Sequence, residues 1–287
     1  MPVHDDLGIR MKECYEAIPK TKLMRKVPVA IRLDGKAFHT FTKGMKRPFD
    51  EVLINTMQRT MQYLCENIQG CVFGYTQSDE ITLILIDYKK QNSSAWFDYE
   101  VQKMCSVAAS MATMAFNKFF ADEIQLFKFH SAGKYLTGEG DKDLAYEKRL
   151  ENAAARGAMF DARCFNIPKE EVGNLLYWRQ LDATRNSIQM VGQANFSHKE
   201  LQHKSCNDIQ NMLYTEKDIN WNDFPPYLKR GTCCYKTVIF MQEDEDADPY
   251  MRTKWYIDPM TPIFKDDWDY INRHIFLQEK LDKIGIA

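Results

Sequence analysis

No stretch of this 287-residue chain is apolar enough for a membrane helix, because charged residues interrupt every window of the roughly 20 residues a span needs. The start, MPVHDDLGIR, carries acids and polar residues where a secretory signal would have its apolar region. The expected location is therefore the cytoplasm, with the mitochondrion as the alternative. No CxxC pair occurs among the eight cysteines, and adjacent Cys233 and Cys234 are poorly placed to share a zinc ion. They are expected as buried, reduced thiols. Net charge is also lacking: 38 Lys and Arg face 40 Asp and Glu. A globally basic nucleic-acid binder is thereby excluded, and any nucleic-acid contact has to come from a local patch. No internal repeat or low-complexity tract is visible. What the chain does have is 45% hydrophobic and 13% aromatic residues, which excludes a largely disordered protein. Its length suits one large domain or two modest ones.

Hydrophobic periodicity gives the order of elements. Residues 27–33 (VPVAIRL) read as a strand that stops at Asp34-Gly35, and 49–68 space their apolar positions as a helix. Residues 71–75 and 81–86 read as strands joined by the polar hairpin turn 76–80. A helix is expected over 97–119, a strand over 160–167 and a helix from Pro168 to about residue 190. The order β-α-β-β-α-β is that of the ferredoxin-like arrangement, an α+β fold. A charged insertion spans 128–156: its glycines Gly133, Gly138 and Gly140 lack the spacing of a nucleotide fingerprint and read as surface loop, while its second half looks helical. After residue 193, polar helices are expected over 198–213 and a loop over 222–231. A strand pair, 232–242 with 253–257, is joined by the acidic turn EDEDADP. Residues 1–193 are thus expected to form one catalytic unit and 194–287 an extension of helices and strands.

In a ferredoxin-like sheet the first and third strands lie antiparallel in the centre. Asp34 and the pair Asp79-Glu80, far apart in sequence, then converge at one sheet edge. Carboxylates so placed repel and raise one another's pKa, and divalent cations relieve that repulsion. Two such ions make a clamp for in-line nucleotidyl transfer. Each acid also has an ordinary use, Asp34-Gly35 to end a strand and Ser78-Asp79-Glu80 to turn a hairpin. Residues 20–47 hold nine Lys and Arg against the single acid Asp34, with Phe38 and Phe41 interleaved as candidate stacking surfaces. A small residue after the strand, Gly35, lets backbone N–H groups approach a triphosphate.

RLDGKAFH (32–39), YTQSDEITLIL (75–85), FDARCFNIP (160–168) and YWRQLDATRNSI (177–188) resemble, in order and spacing, the tRNA-His guanylyltransferase family. The resemblance covers roughly residues 27–193. It implies a polymerase-type palm working in the reverse, 3′-to-5′ direction on tRNA, with ATP or GTP activating a 5′-monophosphate. It further implies two Mg²⁺ ions on Asp34, the Gly35 carbonyl and Asp79, with Glu80 as an accessory catalytic acid. Lys36, Ala37, Phe38, His39 and Ser78 match the loop around the activating triphosphate. Lys46 or Arg47, before Pro48, matches a basic residue there, and Asp50 an acid. Lys103 matches a basic residue for the second triphosphate. A homo-oligomer, dimer or tetramer, is implied as well.

One departure bears on substrate. Enzymes of the family that add an untemplated G to tRNA-His carry HINNLYN after WRQ-x-D-x; here the stretch is Thr184-Arg185-Asn186-Ser187-Ile188-Gln189-Met190, keeping Asn186 in register. That resembles the Thg1-like members, which repair 5′-truncated tRNA against a template. Template-dependent repair is therefore expected ahead of G addition at position −1. The alternative class is a silent palm that only binds RNA or nucleotide, against which the intact pair of repelling acids argues.

Overall fold

The structure is a computed structural model and describes residues 5–135, 141–241 and 250–276. A short helix α1 (Asp6–Met11) precedes strand β1 (Val29–Gly35), the single turn α2 (Phe38–Phe41) and helix α3 (Glu51–Asn67). The hairpin β2 (Cys71–Gln77) and β3 (Glu80–Leu85) leads to α4 (Val101–Tyr135), α5 (Asp141–Arg156), β4 (Phe160–Asn166) and α6 (Val172–Asn195). Helices α7 (His198–Leu201), α8 (Cys206–Lys217) and α9 (Pro226–Arg230) connect to β5 (Thr232–Met241), β6 (Tyr250–Asp258) and α10 (Trp268–Phe276). Among the described residues, six strands form one sheet in the order β4-β1-β3-β2-β5-β6, with every neighbouring pair antiparallel.

The period of two along β1 sends Val29, Ile31 and Leu33 to one face, where they meet Met57, Met61 and Leu64 of α3 and Met104 and Phe116 of α4. Ala30, with Phe73 and Tyr75 of β2, faces Val172 and Leu176 of α6 and Ile271 and Ile275 of α10. Helices therefore cover both faces, and central strands β2 and β3 are buried along their whole length. Edge strand β4 instead alternates between buried and exposed positions at its start.

Four expectations change. The helix expected to stop at residue 119 continues to Tyr135, because Phe120 and Ile124 extend the buried row of Phe116. Two acids of this extension pair with α3: Arg59 meets Asp122 at 2.9 Å and Glu123 at 2.8 Å. In the insertion, Gly133 lies in α4 and not in a surface loop, while the second half is helical as expected, with α5 burying Tyr146, Leu150 and Ala153 in the core; residues 136–140, with two of its glycines, lie outside the described residues. The expected loop 222–231 contains α9, opened by Pro226. The C-terminal strand pair extends the main sheet, since Cys233 and Cys234 of β5 pair with Tyr75 and Gly74 of β2; its acidic turn, 243–249, lies outside the described residues.

All eight cysteines are free thiols, but only Cys65, Cys71, Cys233 and Cys234 are buried; Cys105, Cys164 and Cys206 are half-buried and Cys14 is exposed. Among the described residues no helix is long and apolar enough to cross a membrane.

Candidate active site

The register of the central strands sets Asp34 directly opposite Glu80 of β3 on one side and Asp161 of β4 on the other. The N–H of Gly35 donates to the Asp79 carbonyl at 3.1 Å, closing the hairpin turn onto the end of β1. Asp34 and Asp79 thus meet at one sheet edge. Burial pushes the Asp79 carboxyl above the ordinary carboxylate range, the Asp34 charge adds to the rise, and a hydrogen bond from Ser78 at 3.1 Å opposes it. Ser78 takes a left-handed φ of 51°, which the two-residue turn requires. Asp161, in the same row, escaped the sequence reading; its only signal is its place in FDARCFN.

Gly35 is there for want of space. A Cβ on it would lie 2.2 Å from the Phe38 ring. That ring packs edge-on against Phe116 and Phe160 and tilted against Phe41, with centroids 5.2–5.4 Å apart. Phe38 and Phe41 are each 5% exposed, so neither is a stacking surface for a base: their rings anchor the loop in the core. Ala37 turns with φ 55° and ψ 40° into α2, leaving His39 and Lys36 exposed.

In front of this edge lies a cavity of about 570 Å³. Its walls include Gly35, Ala37, Phe38, His39, Lys46, Arg47, Asp50, Ser78 and Asp79, together with Lys43 and, from α6, Met190 and Gln193. Three cations and two acids therefore face one space. The Lys46 ammonium stands 4.5 Å from the Tyr146 ring and 4.7 Å from Phe127, so aromatic faces of the α4–α5 pair hold it. Asp50 is 6% exposed. One oxygen caps α3 through the Leu53 N–H at 3.1 Å; the other accepts from Lys46 N–H at 2.9 Å and from the Tyr146 hydroxyl at 2.6 Å. Its carboxylate frames the cavity.

Other expected residues are drawn elsewhere. Glu80 is buried and set in a chain of ion pairs: Arg32 lies 3.2 Å and Arg179 2.8 Å from its Oε1, Arg179 also pairs with Asp182, and Asp182 with Arg185. The WRQ-x-D motif supplies that framework, and its Gln180 ties the segment before α10, donating to the Pro262 carbonyl and accepting from the Phe264 N–H. Lys103 stands 5.0 Å from the Phe97 ring near the start of α4. Thr113, whose hydroxyl meets the Phe160 N–H at the site end, is ten residues on, about 15 Å along the helix. Lys103 is thus remote from the cavity. The basic window also divides. Lys22 and Arg25 pair with Asp98, and Arg25 and Lys26 bond Asp87, beyond the opposite end of β3. Asn186, on α6, lines a smaller cavity adjoining the first.

No cluster of three or more His, Cys, Asp or Glu residues able to hold a metal ion occurs among the described residues. The groups expected to hold a cation here are the Asp34 and Asp79 carboxylates and the Gly35 carbonyl. That set suits a hard cation that keeps waters and takes phosphate oxygens.

A family model described as Thg1, tRNAHis guanylyltransferase, matches residues 9–168, more than half of the chain. The chain belongs to this family of nucleotidyltransferases. A bacterial Thg1-like protein solved in complex with ATP is 38% identical with a TM-score of 0.75; the match covers 94% of this chain and 99% of that one. A bacterial Thg1-like protein in complex with GTP is 35% identical with a TM-score of 0.72, over 95% and 100%. The tRNA(His) guanylyltransferase of Saccharomyces cerevisiae is 24% identical over 71% of this chain and 80% of its own length. An uncharacterized protein of Acanthamoeba polyphaga mimivirus is 27% identical over 83% and 79%.

Proposed function

We propose that this protein is a Mg²⁺-dependent 3′-to-5′ nucleotidyltransferase that rebuilds the 5′ end of truncated tRNA against a template. The observation that carries the reading is the meeting of Asp34, the Gly35 backbone and Asp79 at the end of β1, beside a cavity that Gly35 and Asp79 line together with Lys43, Lys46 and Arg47. Strand order β4-β1-β3-β2, with α3 and α4 on one face, supports a ferredoxin-like palm. Asp34, the Gly35 carbonyl and Asp79 would hold the magnesium, which supplies charge neutralisation to the phosphates and activates the attacking hydroxyl. The chain's own residues do the rest. The backbone of 36–39 and the Ser78 hydroxyl bind the triphosphate, Arg47 and Lys43 balance its charge, and Phe38 keeps the loop rigid. Glu80 and Arg179 fix the end of β3 and so orient the Ser78-Asp79 turn.

Replacement of the HINNLYN stretch supports templated repair over addition of G to tRNA-His. The test is one labelling experiment with Mg²⁺, ATP and all four NTPs. A tRNA lacking its first nucleotide is compared with full-length tRNA-His, each 5′-monophosphorylated. Extension of the truncated tRNA with the templated base is expected, and Asp34→Ala and Asp79→Ala abolish it while tRNA binding survives. Preferential addition of G to tRNA-His, whatever the opposing base, would make the protein a guanylyltransferase instead. No extension of either RNA would return it to a binding module.

A further inference from the structure

Between α2 and α3 the chain runs from Thr42 to Asp50 without helix or strand. This loop forms one wall of the 570 Å³ cavity through Thr42, Lys43, Met45 and Arg47. Such a loop orders at an entropic cost, and two cations lining one space repel each other until a phosphate lies between them. The contacts that hold it in place come from α5, in the insertion that the nucleotide reading leaves without a role.

Tyr146, Leu150 and Ala153 anchor α5 in the core. Tyr146, Arg149 and Arg156 follow one another at three and seven positions, which puts them along one side of the helix. The Tyr146 hydroxyl donates to Asp50 at 2.6 Å. Its ring and that of Phe127 receive the Lys46 ammonium, at 4.5 and 4.7 Å, so this charge is drawn toward α5. The Arg149 guanidinium donates to the Gly44 carbonyl at 3.1 Å, and that of Arg156 to the Phe41 carbonyl at 3.3 Å. Gly44 turns with φ +89°, and a Cβ added there would lie 3.2 Å from the Arg149 Cδ, so the stem of that arginine rests on the turn. The loop is tied to one helix at its start, its middle and its end.

We infer that α5 is a clamp on the nucleotide loop, with Tyr146, Arg149 and Arg156 as positioning residues that keep 42–50 in the shape that receives a triphosphate. The inference rests on the nucleotide reading of the cavity. A clamp of this kind acts on affinity through the fraction of molecules whose loop already has the binding shape. It serves ATP and GTP alike, because it holds the backbone and the side chains of the loop and selects no base.

The test is equilibrium binding of ATP and GTP, well below the melting temperature, with Mg²⁺ and no tRNA, to the full chain and to Arg149→Met and Arg149→Lys. The first variant keeps a stem over Gly44 and removes the donor; the second restores one. Arg149→Met is expected to weaken both nucleotides about fivefold and to speed tryptic cleavage after Lys43, while Arg149→Lys stays within about twofold of wild type in both readouts. Because Arg149 is exposed, Tm should move by no more than about 4 °C. Wild-type affinity in Arg149→Met, or equal weakening in Arg149→Lys, overturns the inference while leaving the cavity a nucleotide site. A lowered Tm with unchanged binding gives Arg149 a structural role only and overturns it too. A wild type that binds neither nucleotide overturns the nucleotide reading as well. Should Arg149→Met not fold, as thermal melting would show, Arg156→Met, which removes the Phe41 contact, takes its place in the same comparison.

Discussion

Replacing Arg179 with methionine separates a framework role for Glu80 from a reactive one. The Arg179 side chain is 4% exposed, its Nε lies 2.8 Å from Glu80, and its other arm bonds Asp182. Glu80 is 10% exposed in its side chain and has one further cation, Arg32 at 3.2 Å. Methionine fills much of the volume but leaves a buried carboxylate with half of its compensation. Breaking a buried pair by removing one partner costs about 3–5 kcal/mol. For a chain of this size each kcal/mol lowers Tm by about 2–4 °C, so a fall of roughly 6–20 °C is expected. Glu80→Gln, which keeps an acceptor and removes the charge, should cost only about 1–2 kcal/mol. The double variant should lose less than the two single losses combined, by about 1–3 kcal/mol, because the amide no longer needs the missing guanidinium. Urea unfolding of the four proteins measures the cycle, and nucleotide addition by Glu80→Gln supplies the functional arm. Strict additivity, or Arg179→Met within about 1 kcal/mol of wild type, would refute the framework role. Loss of all turnover in a fully stable Glu80→Gln would make Glu80 a reacting group.

Gly35→Ala forces a Cβ to 2.2 Å from a ring wedged among three others, so it should cost about 1–3 kcal/mol in urea unfolding and lower nucleotide addition more than tRNA binding. Asp50→Ala removes the cap of α3 and strands the Tyr146 hydroxyl; a loss of about 2 kcal/mol or more is expected in the same assay. His274 stacks on Tyr235 at 3.6 Å, and burial followed by Arg273 holds its pKa below the ordinary imidazole value. The folded form binds that proton more weakly than the unfolded chain. Stability is then full above a pH of about 6.5 and declines as pH falls below it, a slope that His274→Phe should flatten in urea titrations from pH 7.5 to 5. At the site edge, the raised Asp79 pKa makes protons compete with metal: the Mg²⁺ concentration giving half-maximal nucleotide addition should rise as pH falls, at a pH above that of an ordinary aspartate.

Periodicity and local chemistry carried the sequence a long way. Alternation along 27–33 and apolar spacing along 49–68 are local properties, and they produced β1 and α3 where the structure has them. Given the strand order, the meeting of Asp34 with Asp79 followed, since a hairpin turn and an antiparallel neighbour allow no other end of the sheet. What the pattern could not tell was where a charge or a ring goes once the chain is packed. Nine cations crowd one sequence window, yet the seven residues of β1 span about 20 Å, so Arg25 and Lys26 serve Asp87 at one end while Lys43 and Arg47 face the cavity at the other. Phe38 and Phe41 turned inward because a core lay behind the loop. Glu80, adjacent in sequence to Asp79, became the partner of two guanidinium groups, one of them 99 residues away on α6. A sequence fixes which elements form because helices and strands are specified by neighbours within a few residues. Which charges are compensated and which stay available for a ligand depends on partners brought together from distant parts of the chain, and only the packed sheet and its covering helices decide that.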